Sequence, residues 1–326
     1  MPFRVLSAKD IKQALPMKQA IEAMKKAFVL MSANQAIVPP RIHLDLPENH
    51  GATLTMPVYI PELKQIGLKF LSLFGENPQY DLPTIQAIVL VIDAVHGTPL
   101  ALMDGAVLTA LRTGAGSGAA TDLLARQDAR VAAIFGAGAQ GRTQLEAVCA
   151  VRPLERAYIF DANLQTAERF AQEMSAHLHI AVDVPTSQDV LSEADIICTA
   201  TTASTPIFAD TQIKTGVHIN AIGSYKPHIR EIPGETVARA KVVVDHRPSC
   251  LKEAGDILIP MQAGLFTEDH IAAELGELIL AEKPGRSSGQ EVTLYKSVGN
   301  AVQDLVAASD VLKEAESLNL GTIVEL

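Results

Sequence analysis

A glycine-rich stretch between two apolar runs constrains the fold of this chain more than any other feature. Five apolar residues, Val131–Phe135, lead into the run GAGAQG at residues 136–141. A helix-compatible segment follows, and a second apolar run, Tyr158–Phe160, ends at Asp161. Strand, glycine turn, helix, strand and acidic residue in this order are the layout of a dinucleotide-binding βαβ unit.

Each glycine of the run has its own physical task. Gly136 allows a tight turn, Gly138 lets the backbone approach a pyrophosphate, and Gly141 lets the helix pack closely on the strand. The helix N-terminus offers free N–H groups and the positive end of its dipole to the phosphates. Asp161 lies 20 residues after Gly141, where a carboxylate accepts hydrogen bonds from the adenosine ribose. The alternative is a glycine-rich turn of a doubly wound sheet that binds another ligand.

Strand and helix patterns alternate from residue 131 onward, which predicts a parallel sheet with helices on both faces. The chain has 326 residues, more than one hydrophobic core usually spans, so we expect two domains. Helices are predicted at Gln140–Val151 and Leu164–His177. Strands are predicted at Val131–Phe135, Ala157–Phe160, Ile180–Val184, Asp195–Thr199, Val217–Ile222 and Lys241–Asp245.

The earlier part of the chain has a different pattern, typical of an α+β region. A last helix with an apolar stripe is predicted at Lys296–Leu318, and we expect it to pack on the N-terminal region. The predicted fold class is α/β, with a Rossmann-type doubly wound parallel sheet at residues 126–303 and a discontinuous α+β substrate-binding domain at residues 1–125 and 304–326. We expect the active site in the cleft between these domains. The α+β region is predicted to contain helices at Met17–Ala33 and Gly105–Leu124 and strands at Thr53–Tyr59, Ile66–Leu73 and Ala87–Asp93.

Composition excludes several functions. The net charge is −10 and no dense Lys/Arg block occurs, which argues against nucleic acid as the main partner. The sequence contains neither a signal-peptide pattern nor an apolar run long enough for a membrane span. The three widely spaced cysteines predict buried thiols in a reducing compartment, so we expect a cytoplasmic protein.

Three cationic residues stand in apolar surroundings in the N-terminal region. Arg41 follows two prolines, Lys69 lies inside the apolar run Ile66–Leu71, and Arg112 lies among small residues. If they converge, they form a site for an anionic group such as a carboxylate. Lys69 is also a candidate acid/base group, because burial and neighbouring cations lower the pKa of a lysine. Taken singly, each is equally compatible with a structural ion pair.

Other reactive side chains have ordinary structural interpretations. His43, His96 and His218 are predicted to be hydrogen-bonded polar residues near strand ends, and no spacing of histidines or cysteines indicates a metal site. No nucleophile motif is present.

Several separated motifs, taken in order, resemble the ornithine cyclodeaminase/mu-crystallin family over nearly the whole chain. They are PPRIH at 39–43, GLK at 67–69, LPT at 82–84, LRTG at 111–114, GAGAQG at 136–141, HINAIG at 218–223 and KSVG at 296–299. The resemblance implies hydride transfer at the α-carbon of an amino or imino acid, and a homodimer formed through the N-terminal domain.

The resemblance also implies roles for individual residues. Arg41 and Lys69 would contact the substrate carboxylate or its imine-bearing end, Arg112 would lie between cofactor and substrate, and Tyr225 and Val298 would contribute to the substrate site. The residues implied to line the dinucleotide, besides the glycines, are Thr84, Arg112, Ala139, Gln140, Asp161, Thr201, Ile222, Gly223 and Ser297.

One position departs from the cyclodeaminase branch. Cyclodeaminases of this family carry an aspartate two residues before the proline in the loop after Ile222, and this chain has Tyr225 there. A tyrosine with a pKa near ~10 is a poor base at neutral pH. The later Arg230-Glu231 and Lys296-Ser297 pairs are more similar to mu-crystallin and the imine reductases.

Three functions follow as hypotheses. The first is an NAD(P)H-dependent reductase of α-imino acids such as Δ1-pyrroline-2-carboxylate or Δ1-piperideine-2-carboxylate, which in reverse is an amino-acid dehydrogenase. The second is an ornithine cyclodeaminase that releases proline and ammonia with NAD⁺. The third is a nucleotide- and small-ligand-binding protein without turnover, by analogy with mu-crystallin. Asp161 favours NAD(H) over NADP(H), since it repels a 2′-phosphate, although Arg142 and Arg169 lie near enough in sequence to weaken that preference.

Overall fold

The computed structural model describes residues 2–325, and its elements alternate as the apolar patterns predict. The strands are β1 (Pro2–Leu6), β2 (Ile42–Leu46), β3 (Gly51–Ile60), β4 (Gln65–Phe74), β5 (Ile85–Asp93), β6 (Pro99–Asp104), β7 (Val131–Phe135), β8 (Arg156–Phe160), β9 (Ala181–Asp183), β10 (Ile196–Thr199), β11 (His218–Ala221), β12 (Lys241–Val244), β13 (Ile271–Glu274), β14 (Thr293–Lys296) and β15 (Thr322–Glu325). The helices are α1 (Ala8–Ala14), α2 (Met17–Ser32), α3 (Gly105–Leu124), α4 (Ala139–Val151), α5 (Leu164–Leu178), α6 (Gly234–Arg239), α7 (Arg247–Glu253), α8 (Gly255–Gln262), α9 (Leu275–Ile279) and α10 (Ala301–Ser317).

The chain divides into two compact units. The first unit holds the chain through Arg112 together with the chain from Asn300 onward, and the second holds Thr113–Gly299. The first boundary therefore falls inside α3, and the second falls just before α10.

The first unit contains a mixed seven-stranded sheet in the order β15-β1-β6-β5-β4-β3-β2. The β2–β3, β3–β4, β4–β5 and β5–β6 pairs are antiparallel, and β1 pairs with β6 in parallel. Helix α10 packs on β3, β4 and β5. A side chain on Gly67 of β4 would come within 3.0 Å of the Leu305 Cβ of α10, so this glycine permits close packing of the helix on the sheet.

The second unit contains an eight-stranded sheet in the order β13-β12-β14-β11-β10-β7-β8-β9, and all its pairs are parallel. Chain order reverses between β7 and β10, with β8 on one side of β7 and β10 on the other. In open parallel sheets a ligand binds at such a reversal, outside the carboxyl ends of the strands. The α/β fold class, with a Rossmann-type parallel sheet and a second sheet, is confirmed.

Apolar side chains cover both faces of the parallel sheet. Ile134 and Phe135 are successive residues of β7, and they lie in different buried clusters because neighbouring strand residues point to opposite faces. Burial on both faces explains why these strands consist of continuous apolar runs rather than alternating patterns.

The predicted helices and strands named above are confirmed to within two residues at each end, except for the final helix. That prediction was wrong at its start: Lys296 ends strand β14, and α10 begins only at Ala301. The side chain of Asn300 caps α10 by accepting hydrogen bonds from the backbone N–H groups of Val302 and Gln303. Among residues 2–325, no helix is both long and apolar enough to span a membrane.

Candidate functional site

The glycines of the β7–α4 turn are packed where no side chain fits. Gly136 has a φ of +98°, and a Cβ on it would lie 2.4 Å from the Ala200 carbonyl oxygen. A Cβ on Gly141 would lie 1.9 Å from the Gly136 carbonyl oxygen. A Cβ on Gly138, by contrast, would have no neighbour within 4 Å. Gly136 and Gly141 therefore build the turn, and Gly138 leaves open space beside its backbone.

The open space lies at the N-terminus of α4. Gly138 is the N-cap residue of this helix and has no side chain to accept a hydrogen bond from the first-turn N–H groups. The Oε1 atom of Gln140, in the same turn, is buried without a hydrogen-bond partner. A pyrophosphate, which carries several anionic acceptors, fits the open helix end and its dipole. That Gly136, Gly138, Ala139, Gln140 and Gly141 bind a dinucleotide stays a prediction.

Asp161 is held at the end of β8 by the backbone on both sides. Its Oδ2 accepts a hydrogen bond from the Ala137 N–H at 2.8 Å, and its Oδ1 accepts one from the Asn163 N–H at 2.9 Å. Each carboxylate oxygen keeps further acceptor capacity for a hydroxyl group. The carboxylate is thus fixed next to the glycine turn, at the edge where the ribose of a bound nucleotide would lie.

The remaining dinucleotide candidates of the second unit lie after three other parallel strands. Thr201 follows β10, Ile222 and Gly223 follow β11, and Ser297 follows β14, so all four are at the carboxyl edge of the sheet. The Ser297 hydroxyl donates to Asp245 Oδ2 at 2.7 Å, and the N–H of Val298 donates to the same oxygen at 3.0 Å.

A separate cationic cluster lies in the first unit. Lys69 of β4 and Arg112 of α3 are buried and share one carboxylate, that of Asp304 on α10. Lys69 Nζ donates to Asp304 Oδ2 at 2.7 Å, and Arg112 Nε donates to Asp304 Oδ1 at 2.9 Å. Arg112 Nη1 also donates to the Gln303 Oε1 at 2.9 Å. The structure therefore brings two of the three predicted cations together.

Burial lowers the pKa of Lys69 to about 8. Asp304 opposes this shift, while the charges of Arg112 and Arg41 add to it. The contribution of Arg41, a half-buried residue just before β2, places its charge within electrostatic reach of Lys69. For Asp304, burial favours the neutral acid, but Arg112 and Lys69 outweigh it and the pKa is lowered. The cluster holds an ionised carboxylate and a lysine that titrates near neutral pH.

Two other predicted site residues are exposed. Thr84 precedes β5, and its carbonyl oxygen accepts a hydrogen bond from the Phe74 N–H at 2.9 Å. Tyr225 lies in the loop after β11, with Lys226 Nζ 6.0 Å from its ring centroid. Partial burial raises the pKa of Tyr225, which makes it a still weaker base at neutral pH.

The sequence analysis missed Asp304 and Gln303. Helix α10 is buried on nearly all sides from Ala301 to Ala308, so any polar residue in this segment needs a partner inside the protein. Two polar residues inside a run of small and apolar residues were the available signal. Asp256 was missed in the same way, whereas Glu231 and Lys296 were noted only as members of the Arg230-Glu231 and Lys296-Ser297 pairs, without a structural role.

His218, the one buried histidine of the three named above, has the structural role that was predicted. His218 has no exposed surface, and its ring nitrogens lie 2.9 Å from Thr293 Oγ1 and 3.2 Å from Asn220 Oδ1. Burial lowers its pKa to about 3, so it stays neutral. Within the described part of the chain, no group of three or more His, Cys, Asp or Glu side chains is placed to hold a metal ion.

The parallel sheet, its order reversal and the glycine turn define a dinucleotide-binding α/β protein. Residues 3–319 match the ornithine cyclodeaminase/mu-crystallin family, and the chain belongs to that family.

Similar proteins match nearly the whole length of the chain. A Δ1-pyrroline-2-carboxylate reductase of Bacillus cereus is 39% identical over 323 residues, covering 98% of this chain and 99% of that protein. The structure of Thermococcus litoralis Δ1-pyrroline-2-carboxylate reductase in complex with NADH and L-proline is similar with a TM-score of 0.94 and 41% identity, covering 98% of this chain and 100% of that one. An archaeal alanine dehydrogenase dimer with bound NAD is similar with a TM-score of 0.92 and 30% identity, covering all of both chains.

Proposed function

We propose that the protein is an NAD(P)H-dependent reductase of α-imino acids, with a cyclic imine such as Δ1-pyrroline-2-carboxylate as substrate, and an amino-acid dehydrogenase in the reverse direction. The observation that carries the proposal is the buried Lys69–Asp304–Arg112 cluster, in a chain that also holds a dinucleotide turn. The names of the similar reductases support this reaction and substrate class.

Each charged residue has a role in the proposed reaction. Arg41 binds the substrate carboxylate, for which a guanidinium offers paired donors. Lys69, with a pKa of about 8, gives a proton to the imine nitrogen in reduction and takes one from the amine in oxidation. Asp304 holds the Lys69 ammonium and the Arg112 guanidinium in place, with one negative charge shared between two positive ones. When bound, the nicotinamide supplies the hydride that is added to the α-carbon.

Most of the cofactor-binding residues that we propose lie at the carboxyl sheet edge and in the glycine turn, and two of them, Thr84 and Arg112, belong to the first unit. Gly138, Ala139 and Gln140 face the pyrophosphate through the backbone of the first turn of α4. Tyr225 and Val298 are proposed to contact the substrate side chain. The remaining proposed cofactor contacts are Thr84, Arg112, Gly136, Gly141, Asp161, Thr201, Ile222, Gly223 and Ser297.

We propose that NAD(H) is preferred over NADP(H). Asp161 is held in place by two backbone N–H groups, and its negative charge would repel a 2′-phosphate. Arg142 does not oppose this, since its Nη2 donates to Glu173 Oε2 at 2.6 Å and its guanidinium lies over the Phe170 ring. Arg169 is exposed on α5. A higher kcat/KM with NADPH than with NADH would contradict this preference.

We also propose that the first unit binds substrate and forms a homodimer, while the second binds the dinucleotide. One face of the first sheet supports the dimer, because Ile42, Leu44, Phe70 and Ile88 share it and are 41–62% exposed. Several large exposed apolar side chains on one face are typical of an interaction surface. The archaeal alanine dehydrogenase is itself a dimer. The three free cysteines fit a reducing compartment such as the cytoplasm.

Ornithine cyclodeamination is not the activity that we propose. The loop after β11 carries Tyr225 where the cyclodeaminases of the family carry an aspartate, and the raised pKa of this tyrosine removes it as a base near pH 7.

The proposal is tested with purified protein in two parallel assays. NADH oxidation is followed with Δ1-pyrroline-2-carboxylate, and proline release is followed with ornithine and NAD⁺. Rapid NADH oxidation without ornithine conversion supports the reductase. Binding of NADH without turnover of any α-imino acid would instead support the ligand-binding alternative, and proline and ammonia from ornithine would establish the cyclodeaminase.

A further inference from the structure

A fully buried carboxylate, that of Glu231, ties together two loops at the carboxyl edge of the parallel sheet. Its Oε1 accepts hydrogen bonds from the N–H and the hydroxyl of Thr201, both at 2.7 Å. Its Oε2 accepts hydrogen bonds from the Thr199 hydroxyl at 2.8 Å, the Gly223 N–H at 2.8 Å and the Ser224 N–H at 3.2 Å. One side chain therefore fixes the loop after β10 and the loop after β11.

Three backbone N–H groups and two threonine hydroxyls surround the Glu231 carboxyl group, so it is the shared acceptor of the two loops. Burial and the charge of Asp256 raise the pKa of Glu231, while the hydrogen bonds from Thr201 and the charge of Lys296 oppose that shift. A side chain on Gly223 would come within 2.6 Å of both Glu231 oxygens and within 2.4 Å of the Thr201 carbonyl oxygen. The backbone of Gly223 therefore lies directly against both the Thr201 carbonyl group and the Glu231 carboxylate, with no room for a side chain between them.

Two further buried charges complete the arrangement. Asp256 Oδ1 accepts hydrogen bonds from the Glu231 N–H at 2.7 Å and the Ile232 N–H at 3.0 Å. Lys296 Nζ lies 2.9 Å from Asp256 Oδ2, and neither side chain has exposed surface. Lys296 also donates to the carbonyl oxygens of Ala221 and Ser224. The loop after β11 is consequently held through its N–H groups by Glu231 and through its carbonyl groups by Lys296.

The position of the loops after β10 and β11 indicates which half of a bound dinucleotide they would contact. A dinucleotide lies across the order reversal, with one nucleotide on each half of the sheet. Asp161 follows β8, so the adenosine half belongs to the β7–β9 side. The loops after β10 and β11 belong to the other side, which receives the nicotinamide half.

We propose that Glu231, supported by Asp256 and Lys296, is a positioning residue that holds the loops for the nicotinamide half of the cofactor in their binding geometry. The proposal rests on the proposed function, since it assumes a dinucleotide. A carboxylate suits this task, because it accepts hydrogen bonds from both loops at once without offering a donor of its own.

The test compares binding of whole and truncated cofactor to the full-length protein. The variant is Glu231→Gln, which keeps the shape but turns one acceptor into a donor. The matched control is Glu235→Gln, an exposed glutamate four residues further along the chain. NADH and ADP are titrated separately by calorimetry, because ADP carries the adenosine half only.

The expected result is a loss of NADH affinity of about tenfold or more in Glu231→Gln, with ADP affinity unchanged, since the variant loses charge-assisted hydrogen bonds on one side only. Equal weakening of both ligands, or of neither, would overturn the proposal. If the unmodified protein binds no NADH, the proposed function itself fails, which distinguishes the two outcomes.

A milder variant keeps the test decisive if Glu231→Gln does not fold. Thr199→Val is nearly isosteric, replaces no residue of either loop and removes one donor to Glu231. The same selective effect is expected at a smaller size, about threefold on NADH and none on ADP. A Thr199→Val protein that binds both ligands as the unmodified protein does would contradict the positioning role.

Discussion

At the scale of single residues, the chemistry depends on how Lys69 is surrounded. Its strand partners in register are Met56 of β3 and Val89 of β5, both buried, and Asp304 lies against it from α10. Apolar neighbours disfavour the ammonium, and the single carboxylate only partly restores it. The result is a lysine whose proton is available near neutral pH.

The first prediction concerns the pH dependence of this proton. Below pH ~8, Lys69 is protonated and able to give its proton to the imine, so kcat for reduction is expected to fall as pH rises through about 8. The oxidation of the amine needs the neutral lysine and is expected to rise over the same range. Stopped-flow or steady-state profiles from pH 6 to 10 measure both directions.

Lys69→Arg is the matched control for the pH profile, because a guanidinium stays protonated throughout this range. Its residual activity is expected to show no transition near pH 8. If the variant and the unmodified protein share the same transition, the titrating group belongs to the substrate and the role of Lys69 is contradicted.

The second prediction concerns Asp304. Asp304→Asn leaves Lys69 and Arg112 without their shared carboxylate, so the free energy of unfolding is expected to drop by about 3–5 kcal/mol. The pKa of Lys69 is expected to fall further, because Asp304 raises it, and the fall in kcat for reduction should move below pH 8. Urea unfolding and a kcat profile check both effects. Asp310→Asn, on the same helix, is the control, and a variant indistinguishable from it would contradict the account.

Sequence alone identified Lys69 and Arg112 because a cation inside an apolar or small-residue run is unusual. It did not identify Asp304, because the contact joins residues 235 positions apart in the chain. Convergence of this kind depends on the register of β4 against α10, and no local pattern encodes that register.

At the scale of elements, the β7–α4 turn was predictable in full, since its geometry is local. Gly136 and Gly141 are packed as the motif implies, Gly138 borders open space, and the bounds of β7 are those predicted. The segment before α10 was not predictable, because the short segment Val292–Tyr295 and the apolar stripe of the helix after it follow each other without a clear break in the sequence pattern. Strand β14 forms there because β11 and β12 pair with it on either side.

The third prediction separates cofactor binding from stability at this turn. Gly138→Ala adds a methyl group into open space at a φ of −78°. Tm is therefore expected to change as little as it does for an ordinary surface substitution. NADH affinity is expected to fall by about tenfold or more, because the methyl group occupies the room for the pyrophosphate. Thermal melts and NADH titrations measure the two effects.

Two comparison variants complete this test. Gly289→Ala, where a Cβ also has no neighbour within 4 Å, is expected to change neither property. Gly141→Ala is expected to lower Tm as well, since its Cβ would overlap the Gly136 carbonyl oxygen. Unchanged NADH affinity in Gly138→Ala would contradict the placement of the pyrophosphate.

At the scale of the whole molecule, the exposed apolar side chains on one face of the first sheet are proposed to form the dimer interface. Placing the face was beyond sequence analysis, because it needs the register of four antiparallel strands, in which Ile42, Thr55, Phe70 and Ile88 form one row. The same register places Lys69 on the opposite, buried face.

The fourth prediction tests this face. Leu44→Lys puts a charge on a residue that is 58% exposed, and it is expected to convert the dimer to monomer in light scattering. Leu164→Lys, on an equally exposed leucine of α5, is the control and should leave the dimer intact. A monomeric unmodified protein, or a Leu44→Lys protein that remains dimeric, would show that another surface or none is used.

The most direct test of the central claim follows the hydride itself. The protein is incubated with Δ1-pyrroline-2-carboxylate and NADH that carries deuterium at both C4 positions, and the product is examined by NMR and mass spectrometry. We expect proline with one deuterium at the α-carbon and a matched loss of NADH. Proline with only hydrogen at the α-carbon, or no proline while NADH binds, would contradict the proposed hydride transfer.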